Sequence, residues 1–344
     1  SCTPGLHRLE AMRTPPPTVV AAPMAGGPST PALVAAVTRA GGFGFLAGGL
    51  KTPDALAAQI AELKAELGPD QGFGVNLFVP NPEPPVNLEP YRDELAETAA
   101  RFGVEVGQSN WDVDDHYPAK VELLASEGIE VVSFTFGMPA REVIERLTTA
   151  GSTVWATVTN PAEAIASWSQ GVDGLVVQGP DAGGHRGTQR PGVNPDQTPL
   201  PQLVASIAEL VPLPLFAAGG IRGREDITEL LRAGAQGVQI GTLLLRTPES
   251  GAQQVHKDAL AWERETLVTR CFSGRWARAI RNQFTDAHHA QAPGAYPQVA
   301  QLTASIRAAA QHAQDPEHQQ LWAGTGHLQA RAVPAGEVIA DLLP

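Results

Sequence analysis

The chain has 344 residues, 43% of them hydrophobic, enough to bury a full core in one large α/β barrel or in two domains. A formal net charge of −12 with no basic stripe to offset it excludes nucleic acid and anionic membrane surfaces as partners. Two cysteines, Cys2 and Cys271, make no disulfide framework and no C-x-x-C is present, so a reducing, cytoplasmic setting is expected. The opening residues lack a basic region followed by an apolar one. The uncharged stretch 14–38 holds six prolines and cannot span a membrane as a helix.

In chain order, Val19–Ala22 reads as a strand closed by Pro23. Met24-Ala25-Gly26-Gly27 is a loop of small side chains. Thr30-Pro31 gives the N-cap and first position of a helix through Arg39. Phe43–Ala47 is the second strand. Its glycines, Gly42, Gly44 and Gly48, miss the dinucleotide spacing by one. A helix from Pro53 repeats Leu56, Ile60, Leu63 and Leu67 at helical spacing, and Gly72–Phe78 is the third strand. A proline-rich excursion, 80–90, leads to a helix over 91–101 and a short strand over 104–108. The acidic run 111–116 matches no EF-hand or zinc spacing and reads as a solvated loop. Helices over 117–128, 140–150, 161–170, 201–210 and 224–233 then alternate with strands over 130–136, 153–158, 175–178, 214–218 and 237–240. Leaving 104–108 aside as an extra, eight strands mostly separated by helices predict an α/β fold, the (β/α)8 TIM barrel.

After Thr247 no further strand signal is found. Residues 248–315 are therefore predicted to form a helical cap, a substrate-binding subdomain over the barrel mouth. Residues 1–247 and 316–344 are left to the barrel itself. His288-His289 reads as a solvated pair, and no metal site is expected anywhere. The tail from Leu321 is expected to be a final helix returning to the barrel.

The stretch 174–187 has the composition of a site. Leu175–Gln178 ends in a glycine-rich loop with one imidazole, His185. Gly183 and Gly184 free the backbone for a flat ligand, and Arg186 adds a charge. Two more strand ends add to it: Gly219-Gly220 after the seventh strand, and Gln239-Ile240-Gly241-Thr242 at the eighth. In barrels of this kind the corresponding loops present backbone N–H groups to a phosphate. Asn76 and Gln178, neutral amides at strand ends, suit the edge of a flavin ring better than a metal. No Walker A, H-E-x-x-H or G-x-S-x-G sequence is present. With no Rossmann unit to hold an adenine half, the expected cofactor is FMN and not FAD.

These segments together resemble the FMN-dependent nitronate monooxygenase family, formerly 2-nitropropane dioxygenases. The likeness is carried by Ala22–Gly27, Gly74–Phe78, Gln178–Gly187, Ala217–Ile221 and Gln239–Thr242. Ser273-Gly274-Arg275, Arg278, Asn282 and Leu321–Gly324 extend it. Trp276 stands where the family has Pro, and Thr325 where Gln is common. The resemblance implies oxidation of alkyl nitronates, and of nitroalkanes, with O2 to a carbonyl compound and nitrite. It implies that His185 is catalytic and that FMN is held by Asn76, Gln178, Gly183, Gly220 and 239–242, with Met24 near the ring. A histidine of ordinary pKa, about 6.5, would suit as the base for a neutral nitroalkane, Arg186 or the protonated imidazole would hold the anionic nitronate, and with a nitronate as substrate His185 would only orient or stabilise it. The alternative is a flavin-dependent NAD(P)H oxidoreductase, an enoyl-acyl-carrier-protein reductase or quinone reductase on the same fold. A monomer or homodimer is expected in either case.

Overall fold

The computed structural model describes residues 18–343. Cys2 and the opening residues lie outside them. Strand β1 (Val19–Ala21) leads to α1 (Pro31–Arg39), and β2 (Phe45–Ala47) to α2 (Pro53–Leu67). Strand β3 (Gly74–Phe78) is followed by two helices, α3 (Glu89–Arg101) and α4 (Tyr117–Glu127). The alternation continues through β4 (Val131–Thr135), α5 (Arg141–Thr149), β5 (Thr153–Val158), α6 (Pro161–Gln170) and β6 (Gly174–Gln178). A two-residue strand, β7 (Gly184–His185), precedes α7 (Leu200–Leu210), β8 (Leu215–Ala218), α8 (Arg224–Arg232) and β9 (Gly237–Ile240). Then come α9 (Gln254–Ala259), β10 (Thr266–Thr269), β11 (Ala277–Ile280), α10 (Gln283–His288), α11 (Gln298–His312) and α12 (Ala335–Leu342).

One device starts three of the barrel helices. Thr30, Thr52 and Asn160 accept the N–H of Leu33, Ala55 and Glu163, and a proline occupies the first helical turn each time. The side chain satisfies an orphan donor, while proline sets φ where its missing N–H costs nothing.

Eight of the strands pair in the order β1-β9-β8-β6-β5-β4-β3-β2, every pair parallel. Phe43 closes the ring: Ala21 N–H donates to its carbonyl at 2.9 Å, and its own N–H donates to Val19 at 3.0 Å. The fold is a (β/α)8 TIM barrel. Outward-facing Leu46, Val75, Val132, Val154, Leu175 and Leu215 pack against the surrounding helices in the main core. Inside, Phe43, Phe45, Trp155 and Phe216 fill the barrel floor, with Trp155 and Phe216 stacked at 4.1 Å. Gly74 is a glycine because the Phe45 ring occupies the place of its side chain, 2.3 Å from an ideal Cβ. Along the strands the buried side chains turn polar, from Val131 to Ser133 and from Trp155 to Thr157. An apolar plug thus lies under a polar mouth.

The segment 248–315 departs from the helical expectation. Strands β10 and β11 form an antiparallel hairpin, Thr266 opposite Ile280, and β11 pairs on its other side with β7. The hairpin is a platform for the loop that carries His185. The segment also shares its core with α3: Leu88, Tyr91 and Leu95 pack with Phe272, Phe284, Val299 and Leu302. No strand forms over 104–108; Gly107 instead donates its N–H to the Leu302 carbonyl at the end of that core. The tail is α-helical only over α12, with one short 3-10 turn at His327–Gln329 before it. Leu321–Gly324 runs extended beside β11, where Ile280 N–H donates to Leu321 O and Ala323 N–H to Arg278 O.

Two further expectations change. His288 is buried, not solvated: its Nε2 lies 2.8 Å from Thr98 Oγ1 and its Nδ1 3.4 Å from Glu94, bracing α10 against α3. His289 Nδ1 lies 2.9 Å from Thr269 Oγ1. In the acidic loop, Asp112 and Asp114 are exposed, but Asp115 accepts the Leu50 N–H and sits 2.9 Å from the buried Lys120 ammonium. Among the described residues no helix is long and apolar enough to cross a membrane.

Candidate active site

A cavity of about 640 Å³ opens at the C-terminal ends of the barrel strands. That lies within the ~300–1,000 Å³ usual for small-molecule and cofactor sites. The structure brings the predicted catalytic and cofactor-binding residues to its wall: Met24, Asn76, Gln178, Gly183, Gly184, His185, Gly219, Gly220, Gln239, Ile240, Gly241 and Thr242.

The turns after β8 and β9 form one side. Gly219 and Gly220 have φ of +112° and +71°, a region that favours glycine. The chain also presses on them, since ideal Cβ atoms would lie 2.8 Å from Ala182 and 2.7 Å from Asp181. The backbone N–H groups of Gly219, Gly220, Gly241 and Thr242 donate to nothing within the described residues. Thr242 Oγ1 accepts the Gly324 N–H at 3.0 Å, which leaves its hydroxyl proton free. Unpaired N–H groups seek acceptors, and these four residues line one hollow, as those of an anion cradle would.

The two amides differ. Asn76 donates through Nδ2 to Ser133 and Thr135 at 2.9 and 3.0 Å, leaving its carbonyl oxygen uncommitted. Gln178 is absorbed by its own loop. Its Nε2 donates to His185 O at 3.0 Å, and its Oε1 accepts Gly187 N–H at 2.8 Å and Arg186 Nε at 3.3 Å. Gln178 therefore holds the loop from beneath. Gly183 is a glycine because the tail lies against it, Gly324 N being 2.4 Å from where a Cβ would stand. Gly184 has open space around it but φ of +71°.

His185 is half-buried, its ring framed by Phe136, Tyr296 and Trp322 at centroid distances of 5.6, 5.5 and 5.2 Å. Nε2 lies 2.8 Å from Ser273 Oγ. Burial, followed by the Arg275 and Arg307 charges, pushes the imidazole down to about 3. A ring of that pKa is neutral at pH 7 and a far weaker base than ordinary histidine. Burial first, and the two guanidinium groups after it, move the ring away from the ordinary value near 6.5 that a general base would use.

Arg186 does not reach the cavity. It is fully buried and donates to Asp196 O and Gln178 Oε1, each at 3.3 Å. The cavity's cations are instead Arg275 and Arg307. Arg275 lies over the Phe136 ring at 4.1 Å and donates to Thr188 O at 2.8 Å. Arg307 folds back on α11, donating to Thr303 Oγ1 and Ala300 O. Burial lowers both to about 10, and both stay charged. In sequence, Arg275 showed only as part of Ser-Gly-Arg, with no role. Arg307 gave one signal, an arginine at the edge of the apolar face set by Leu302 and Ile306. Arg278 and Asn282, noticed for the same resemblance, are structural. Arg278 ties β11 to Pro180 O at 2.8 Å, and Asn282 caps α10. Trp276 O accepts the Arg186 N–H, and Thr325 N–H donates to Asp181 O.

Comparison with known proteins gives the family of the chain. The family described as nitronate monooxygenase matches residues 9–344. A probable nitronate monooxygenase of Staphylococcus aureus (strain MSSA476) is 32% identical over 356 residues, spanning 98% of this chain and 96% of that protein. Among solved structures, a nitroalkane oxidase from Streptomyces ansochromogenes superposes with a TM-score of 0.89 at 43% identity, covering 95% of this chain and 94% of the other. FabK from Thermotoga maritima shares the fold, with a TM-score of 0.75 at 23% identity over 99% of this chain and 95% of that one.

Proposed function

The chain belongs to the nitronate monooxygenase family, whose members are flavin-dependent oxidoreductases, and on that premise we propose that it oxidises alkyl nitronates with O2 to a carbonyl compound and nitrite, using FMN. The observation that carries this reading is charge. The imidazole, neutral at working pH, stands beside two guanidinium groups, Arg275 buried and Arg307 half-buried, with no carboxylate in ion-pair contact with either among the described residues, an arrangement suited to an anion.

The wall residues fit FMN. Its phosphate would take the free N–H groups of Gly219, Gly220, Gly241 and Thr242 together with the Thr242 hydroxyl. Asn76 would meet the ring edge through its uncommitted oxygen, with Gln178, Gly183, Gly184, Gln239 and Ile240 lining the ring and Met24 beside it. When bound, FMN supplies the two-electron chemistry between substrate and O2. The protein binds and orients. Arg275 and Arg307 draw in the anion, and Phe136, Tyr296 and Trp322 narrow the space around it. His185 meets the reacting nitro group as hydrogen-bond donor or as base. In this division of labour the barrel, 1–247 and 316–344, holds the cofactor, and 248–315 supplies the substrate side.

Heat release of the cofactor and chromatography should give FMN. Anaerobic mixing of the yellow protein with ethylnitronate should then bleach it, while NADH should not. Bleaching by NADH alone would select the reductase alternative, and FAD in the supernatant would overturn the assignment of the cradle.

A further inference from the structure

Ser273 is set at the turn between β10 and β11 by a backbone that cannot easily relax. Gly274 has φ of +85°, and an ideal Cβ there would lie 2.1 Å from Ala295 O. Ser273 and Gly274 both donate their N–H to Arg270 O. The Ser273 side chain is nearly fully buried and has three polar neighbours: His185 Nε2 at 2.8 Å, Arg275 O at 3.3 Å and Arg275 N at 3.4 Å.

A hydroxyl has one proton to give. The Arg275 N–H can only donate, so Ser273 Oγ accepts there. Its proton goes either to His185 Nε2 or to Arg275 O, and the imidazole contact is the shorter by 0.5 Å. His185 Nδ1 makes no hydrogen bond within the described residues, and the ring lines the cavity. Which nitrogen carries the ring proton is set by the bond the other one makes.

Building on the nitronate reading above, we propose that Ser273 donates to Nε2 and so holds His185 as the Nδ1–H tautomer, a hydrogen-bond donor to the anionic oxygen of the substrate. Ser273 is then a positioning residue that sets what His185 can do. A base at Nδ1 would need the opposite arrangement, with the Ser273 hydroxyl turned to Arg275 O. The neighbouring charges agree, because Arg275 and Arg307 oppose an imidazolium but tolerate a neutral donor beside an anion.

The test is a two-bond 1H–15N correlation spectrum of the flavin-loaded protein labelled at histidine, with His185→Asn to assign the ring. The wild type should show Nδ1 protonated and Nε2 bare at pH 7. Ser273→Ala should release the tautomer preference and raise KM for ethylnitronate about tenfold, the usual effect of one hydrogen bond, with kcat less affected. Ser273→Thr, which keeps the hydroxyl, should restore both. A wild-type ring protonated at Nε2 would overturn the proposal, as would a Ser273→Ala protein with an unchanged tautomer and KM. A purely structural role for Ser273 would lower the melting temperature and leave the ring spectrum as it was. The spectrum does not depend on turnover. A protein with Nδ1–H that oxidised no nitronate would refute the activity and leave the tautomer assignment standing.

Discussion

Burial, with the Arg275 and Arg307 charges after it, holds the His185 ring neutral, and this decides which form of substrate the site can use well. A base whose pKa has fallen to about 3 has little driving force to take the α-proton of a neutral nitroalkane. A nitronate has already lost that proton. We therefore expect His185→Asn to lower kcat/KM for nitroethane and for ethylnitronate by similar factors, with FMN still bound. A loss on nitroethane larger by ~10²–10⁴ would mark a true general base. The same steady-state series run from pH 5.5 to 8 should show no His185 limb. The sign follows from the shift: with the folded pKa depressed, the ring stays neutral throughout that range, and only below it would protonation begin. Sequence alone located this residue but left it either base or anion stabiliser. The motif around 178–187 put His185 at a strand end, whereas the groups that tune it, Arg275 and Arg307, lie 90 and more residues further on. Nothing local announces such a field.

At the level of elements, what could be read from sequence was what local chemistry determines. Proline marked the starts of α1, α2 and α6, at α1 together with the Thr30 cap, and short apolar runs marked the barrel strands. The hairpin β10–β11 was missed because its order comes from a partner. Thr266-Leu267-Val268-Thr269 is only half-buried, and β7 on the other side of β11 is two residues long. Isolated hairpins are marginal, and each member here is ordered by the others. Arg278 locks this unit, donating to Pro180 O at 3.1 and 2.8 Å and to Thr266 Oγ1 at 3.0 Å. Replacing it with Met keeps the apolar stem but leaves Pro180 O without these donors. We expect Arg278→Met to cost about 1–3 kcal/mol in urea unfolding, the penalty for a buried acceptor left unmatched. It should also raise KM for nitronates, because the His185 loop would lose its support. An unchanged KM with the stability loss present would mean that the hairpin is scaffold only.

The molecule as a whole sets its substrate a contradiction. With a formal net charge of −12, the surface repels an anion that the cavity is built to hold. The two effects act over different distances and answer differently to salt. Long-range repulsion fades once the Debye length drops from about 30 Å at 0.01 M to about 10 Å at 0.1 M salt. The attraction of Arg275 and Arg307 operates in contact, inside a wall of protein, where ions screen little. We therefore expect kcat/KM for a monoanionic nitronate to rise as NaCl goes from 0.01 to 0.15 M, the reverse of an enzyme whose surface steers its substrate. Arg275→Gln should raise KM by about 10–100-fold, as expected for one charge-assisted hydrogen bond, and by a similar factor at both salt concentrations. Arg275→Lys should not recover it, since an ammonium cannot lie flat over Phe136 while reaching Thr188. If kcat/KM fell with salt and the Arg275→Gln defect shrank with it, capture of the nitronate would be a surface effect, and the guanidinium pair would not be its binding site.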